Sequence, residues 1–180
     1  MNIRRKFVPN AVVYITQVVE YRQPIFEAEQ HIMLLLEIMR EAKRRYPFTM
    51  LAYVFLPDHF HLLIRPATDI RYDQIMHSIK PNFTKAYKKS IGLTGPMKFW
   101  QKRYWDHTIR NETDLQRRLD YIHYNPVKHG YVMRPEEWTH TSFHHHKERG
   151  NYADGWGWFL PDALSHLHPD YGEDNEQFGE

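Results

Sequence analysis

The sequence predicts an α+β fold in which a four-stranded antiparallel sheet carries helices packed on one face. Three observations predict it. Four short runs rich in β-branched and aromatic residues are bounded by proline or charged turns. Segments of helical periodicity lie between the first and second runs and between the third and fourth, and another follows the last. The second and third runs are separated only by Leu56-Pro57-Asp58, which reads as a pair of adjacent strands. The order β-α-β-β-α-β-α, with single helical crossovers, folds most simply as a ferredoxin-like (RRM-like) palm with a further C-terminal helix.

Each element has its own signal. AVVYITQVVE, Ala11 to Glu20, is β-branched and bounded by Pro9 and Pro24, as a strand requires. From Glu27 to Tyr46, Ile32, Leu35, Leu36 and Met39 recur at helical spacing, and Pro47 stops the helix. Phe48 to Phe55 and Phe60 to Arg65 form the middle strands. A second helix spans Asp69 to about Ser90, with Ile75, Met76, Ile79, Phe83 and Tyr87 inward; Pro81 is expected to kink or break it. Tyr104 to Arg110 supplies a fourth strand. Asn111 or Thr113 then caps a third helix that is expected to end near Asn125, because Pro126 disfavours helical geometry in the residue before it.

A chain of 180 residues has room for one compact domain, and two large ones are excluded. Without cysteine it has no disulfide scaffold, thiolate metal site or thiol nucleophile, and a reducing, cytoplasmic setting is expected. The longest mostly apolar stretch, His31 to Met39, is too short and too charged to span a bilayer, and MNIRRKFVPN lacks the apolar run of a signal peptide. Charge is divided along the chain. Up to residue 150 there are 24 basic against 15 acidic side chains, a surplus of nine, whereas the remainder has seven acidic side chains and no Lys or Arg. Residues 1–150 therefore read as a basic domain suited to a polyanion, and 151–180 as an acidic segment that docks in part and then frays.

Two motifs carry chemistry. In Pro57-Asp58-His59-Phe60-His61-Leu62-Leu63, strand alternation aims His59 and His61 at one face while Phe60 points into the core. That is half of a metal site, although the spacing equally suits two ordinary polar histidines. The HxHxDH pattern of hydrolases is absent. In Leu119-Asp120-Tyr121-Ile122-His123-Tyr124-Asn125-Pro126, Tyr121 and Asn125 share a helical face, so a phenol could sit beside an amide oxygen, with core packing as the alternative for the phenol. Tyr124 points about 100° away from Asn125. The run His144-His145-His146 reads as a solvated turn, and His107 and His123 take no assigned role.

PDHFHLL resembles the histidine-hydrophobe-histidine motif of HUH endonucleases. LDYIHYNPVKHGYV, with FWQKRYWDHTIR upstream, resembles the REP-associated tyrosine transposases, relatives of single-tyrosine insertion-sequence transposases. The resemblance spans about Val12 to Phe143 and includes YITQVVEYRQPIF and EEWTHTSFH. It implies that His59, His61 and Asn125 hold a divalent Mg²⁺ or Mn²⁺ ion, Asn125 standing where many relatives carry Gln, and that Tyr121 is the nucleophile. It further implies a single-strand DNA endonuclease and strand-transferase that acts at hairpin-bearing repetitive extragenic palindromes through a 5′-phosphotyrosine link, with both a homodimer and a single-chain form open. A binding protein without chemistry and a phosphoesterase using activated water are the rival functions.

The expected DNA contacts are Arg4 and Arg5 on the N-terminal arm, Lys80, Lys85, Lys88 and Lys89 on the second helix, and Lys98, Lys102, Arg103 and Arg110 beyond it. Tyr87, Phe99, Trp100, Tyr104 and Trp105 interleave with these charges, a pattern that suits base stacking, with core packing the alternative for at least half, Trp100 and Trp105 first among them.

Overall fold

The computed structural model describes residues 7–165. The chain runs β1 (Val13–Val18), α1 (Glu29–Arg45), β2 (Phe48–Phe55), β3 (His59–Pro66), α2 (Tyr72–Ser90), β4 (Trp105–Thr108), α3 (Glu112–Lys128) and α4 (Phe143–Glu148), with short 3-10 turns between them. The strands form one antiparallel sheet in the order β2-β3-β1-β4, as two single-helix crossovers require. The expected palm is present. Among the described residues no helix is long and apolar enough to cross a membrane.

The two faces of the sheet are covered differently. Val13 and Ile15 of β1 and Phe60, Leu62 and Ile64 of β3 pack under α1 and α2, joined by Phe26, Phe83, Phe99 and Trp100. On the other face Tyr14, Ala52, Val54 and Leu63 meet Tyr121 and Ile122 of α3. The C-terminal helix thus closes the face that the crossover helices leave open. All six residues of β1 are buried as a result. Each fully buried apolar side chain contributes roughly 1.5–3 kcal/mol.

Local sequence explains the helix ends, with two departures from expectation. In α1 the buried stripe is Ile32, Leu35, Met39 and Ala42, and Lys43, Arg44 and Arg45 favour the negative end of the helix dipole. Asn111 caps α3 by accepting the Asp114 N–H at 2.9 Å. Pro81 does not interrupt α2, which continues to Ser90. Both Pro81 and His77, whose carbonyl loses its helical partner, lie on the exposed side, where solvation offsets the missing bond. Pro126 likewise lies inside α3, which reaches Lys128. There the last turn is closed around it, with the His129 N–H donating to Asn125 O and the Tyr131 N–H to Pro126 O.

Residues beyond α3 fold back against it. His123, fully buried, lies 2.8 Å from both the Tyr152 hydroxyl and Ser142 Oγ, and Tyr152 donates to Asp120 at 3.2 Å. Ser142 in turn accepts the Tyr53 N–H, which ties this network to β2. Tyr152 also packs on Phe143 and Trp156. The histidine run is a short helix rather than a solvated turn: His144 bonds Trp138 O and His146 bonds Leu51 O. The expected frayed end, with Asp170, Glu173, Asp174, Glu176 and Glu180, and the arm with Arg4 and Arg5 lie outside the described residues.

Two outcomes follow for stability. Gly157 sits at φ +80, and a Cβ there would lie 2.5 Å from the Pro135 ring, so Gly157→Ala should lower stability by about 1–3 kcal/mol in thermal or denaturant unfolding. Burial, with a smaller push from His146, holds the His123 pKa well below its ordinary 6.5. The unfolded chain then binds a proton that the folded chain refuses, so stability is full above about pH 6.5 and declines below it. The unfolding temperature should fall between about pH 7.5 and 5.5, and less steeply in His123→Gln, which starts lower.

Candidate active site

The turn before β3 fixes the first histidine. Its carbonyls at Pro57 and Asp58 accept the Phe26 and Val19 N–H groups at 2.8 Å, so the turn is held against the end of β1. Alternation along β3 then sends Phe60 and Leu62 toward α1 and α2, and His59 and His61 toward α3. The two imidazole centroids are 5.0 Å apart, and both side chains are buried.

One nitrogen of each ring is oriented by a neighbour. His59 Nδ1 donates to Asp58 Oδ1 at 2.5 Å, and Arg22 holds the other carboxylate oxygen at 3.0 Å. Burial of Asp58 opposes ionisation, but the bonds and charges of His59 and Arg22 outweigh it and keep the carboxyl below its usual pKa. His61 Nδ1 lies 2.7 Å from Tyr14 Oη and 2.8 Å from Thr16 Oγ1, hydroxyls that β1 presents on the same face. With Nδ1 engaged on both rings, Nε2 is the nitrogen with which each would hold a cation.

Helix α3 brings the second motif to the pair. The Tyr121 ring meets His61 edge-on at 5.7 Å, and His129, just past the helix end, meets His59 at 5.3 Å. Asn125 lies between those contacts on the same helical stripe and is fully buried. Two neutral imidazoles and an amide oxygen fit a divalent cation such as Mn²⁺ or Mg²⁺. Among the described residues no three His, Cys, Asp or Glu side chains form a metal-binding group, so the donor set depends on the amide. Tyr124 turns the other way, toward Gly157.

Several contributors took no assigned role from the sequence, Lys128 among them although it lies near Tyr121 in the chain. Lys128 donates to Tyr121 Oη at 2.9 Å. Arg118, buried, lies 5.0 Å from the Tyr14 ring and 5.1 Å from that of Trp105. Arg118 stands three residues before Tyr121 and Tyr14 two before Thr16, so helix and strand periodicity were the available signals. His107 completes β4, stacking on Trp105 and lying 2.8 Å from Asp114.

The basic residues do not gather at this site. Lys85, Lys88 and Lys89 line a groove of about 450 Å³ on α2 with Pro81, Leu93 and Met97, across the sheet from the histidines. Lys80 bonds Gln101 O, and Lys98 is paired with Glu20 at 2.5 Å. Exposed Lys102 and Arg103 follow Gln101, whose N–H donates to Val18 O at the His59 end of β1. Exposed Arg110 lies at the opposite end, since Ile109 bonds Val12. Of the five interleaved aromatics, Tyr87 of α2 and Phe99, Trp100 and Tyr104 are core residues, and Trp105 is partly exposed. For those four the core alternative holds and base stacking is corrected, because their faces are consumed in packing; Trp105, expected among the first to be core, is the one left partly exposed.

Comparison with known proteins agrees with this architecture. A family model described as "Transposase IS200 like" matches residues 8–125. The chain is 34% identical over 164 residues to a putative REP-associated tyrosine transposase of Haemophilus influenzae, covering 87% of this chain and 93% of that one. It is 34% identical over 154 residues to the REP-associated tyrosine transposase of Escherichia coli, covering 85% and 88%. A solved structure of a REP-associated tyrosine transposase bound to a REP hairpin matches with a TM-score of 0.79 and 29% identity, over 96% of this chain and 97% of that one. The chain therefore belongs to the IS200-like transposases and, among them, to the REP-associated tyrosine transposases.

Proposed function

We propose that this protein cuts and rejoins single-stranded DNA beside a REP-type hairpin by metal-dependent transesterification, with Tyr121 as nucleophile. The observation that carries this reading is the edge-on meeting of Tyr121 with His61 within one chain, with Asn125 buried one helical turn further along the same stripe. The REP hairpin bound by a relative of the same fold supports the substrate class.

In this reading Tyr121 Oη gives up its proton to solvent and attacks the scissile phosphorus, forming an O–P bond as the bond to the 3′ oxygen breaks and that oxygen takes up a proton from solvent. The 3′ oxygen leaves as a hydroxyl, the DNA 5′ end stays on the tyrosine, and attack by a 3′-hydroxyl reverses the step. A bound Mg²⁺ or Mn²⁺ would polarise a non-bridging phosphate oxygen and stabilise charge on the leaving oxygen. Asp58 and Arg22 hold the His59 ring, Tyr14 and Thr16 hold His61, and the sheet keeps both beside the phenol. The contact between the Tyr121 ring and His61 of the same chain supports a reading in which the nucleophile serves its own ion site.

Incubation with a hairpin oligonucleotide and Mn²⁺ should give a denaturant-resistant protein–DNA adduct that Tyr121→Phe abolishes while still binding the oligonucleotide. Cleavage persisting in Tyr121→Phe without adduct would instead mean hydrolysis by water. Asp58→Asn should weaken Mn²⁺ binding by roughly 10–100-fold in calorimetric titration of the protein alone, because the carboxylate that orients His59 is lost.

A further inference from the structure

We propose that Lys128 is a catalytic residue whose ammonium holds the attacking oxygen of Tyr121 and stabilises the charge that passes through it. The inference rests on Tyr121 being the nucleophile and assigns a second group to the same reacting atom. Lys128 Nζ is 2.9 Å from Tyr121 Oη and 4.9 Å from the ring centroid, so the cation is directed at the hydroxyl. The phenol is 4% exposed, whereas Lys128 is exposed, which places the ammonium at the solvent edge of the tyrosine.

Helix geometry makes this contact a product of the fold. Side chains on a helix lean toward its N-terminus, and positions seven apart lie on one stripe. Lys128 is the last residue of α3, and from there its stem runs back past Asn125 toward Tyr121. The backbone turns away immediately afterwards, with Gly130 at φ +71 and its N–H donating to Val127 O, so no further helical turn crowds the lysine. Only glycine takes that left-handed conformation without strain.

The chemistry suits the position. A lysine ammonium donates up to three hydrogen bonds and accepts none, so it can hold Oη while leaving the oxygen's other lone pair for phosphorus. As the O–P bond forms, the phenol proton leaves to solvent and negative charge passes from Oη to the non-bridging phosphate oxygens beside it, where the ammonium's remaining N–H groups can donate charge-assisted bonds. In the phosphotyrosine the same ammonium faces the non-bridging oxygens, so it serves the reverse attack by a 3′-hydroxyl as well.

The chain lacks cysteine, which permits a chemical rescue. Single-turnover adduct formation would be measured at saturating hairpin oligonucleotide and Mn²⁺, alongside oligonucleotide Kd. Lys128→Cys is expected to slow adduct formation by roughly 100-fold with less than about a threefold change in Kd. Aminoethylation of the new thiol, which rebuilds an ammonium of lysine length, should restore most of the rate, and carbamidomethylation should not. A Lys128→Cys rate equal to wild type, a loss confined to Kd, or no rescue by aminoethylation would overturn the assignment of Lys128 alone. Absence of any adduct with the wild-type protein would overturn the nucleophile reading and this inference with it.

Discussion

The site depends on β3 being covered on both faces while its side chains alternate. Phe60, Leu62 and Ile64 are committed to the layer beneath α1 and α2, so His59 and His61 cannot turn that way. They face α3 in a buried setting, where any polar atom must find a partner. Asp58, Tyr14 and Thr16 meet that demand at the Nδ1 atoms, and in doing so fix both rings. A shift of β3 by one residue against β1 would exchange the histidines for phenylalanine and leucine. Register, and therefore the hydrophobic core, sets the position of the chemistry.

Helix α3 is held from two sides. One stripe, with Tyr121 and Asn125, lies against the sheet; another, with Asp120 and His123, is bonded to Tyr152 and Ser142. The second contact links residues after α3 back to β2 through Tyr53. The segment following the Tyr121–Asn125 motif thus acts as a backing that keeps the helix from rolling. A nucleophile must be held in a narrow range of geometries to be effective, and a helix gripped on one side only would offer less.

Much of this was readable in the sequence. The limits of β2, the hairpin, the inward residues of α2 and one of the two offered caps of α3, Asn111, follow from local patterning, whereas the first strand is two residues shorter at each end than Ala11 to Glu20. The prolines misled because a rule about an isolated helix ignores where each ring ends up: Pro81 faces water, and Pro126 lies in a last turn whose carbonyls find partners beyond the helix. Spacing put His59 with His61 and Tyr121 with Asn125, and the family resemblance, not spacing, gave them roles. Their supporting residues did not stand out, because Tyr14, Thr16 and Arg118 look like ordinary strand and helix positions until the register of distant segments is known. The interleaved aromatics show the reverse error. Position next to lysines in the chain said nothing about which way Phe99 and Trp100 point, and Phe26 and Phe83 were there to enclose them.

The lysine groove on α2 and the histidine pair lie on opposite sides of a sheet, separated by a full protein layer of about 10 Å or more. A rigid rod cannot touch both. A polyanion that did so would have to curl around the rim, for instance past the four-residue edge strand β4, near which Lys102 and Arg103 stand exposed. Such a route favours a ligand that is stiff in one part and pliable in another, and it makes the narrow border of the molecule, rather than either broad side, the place where bending would be imposed.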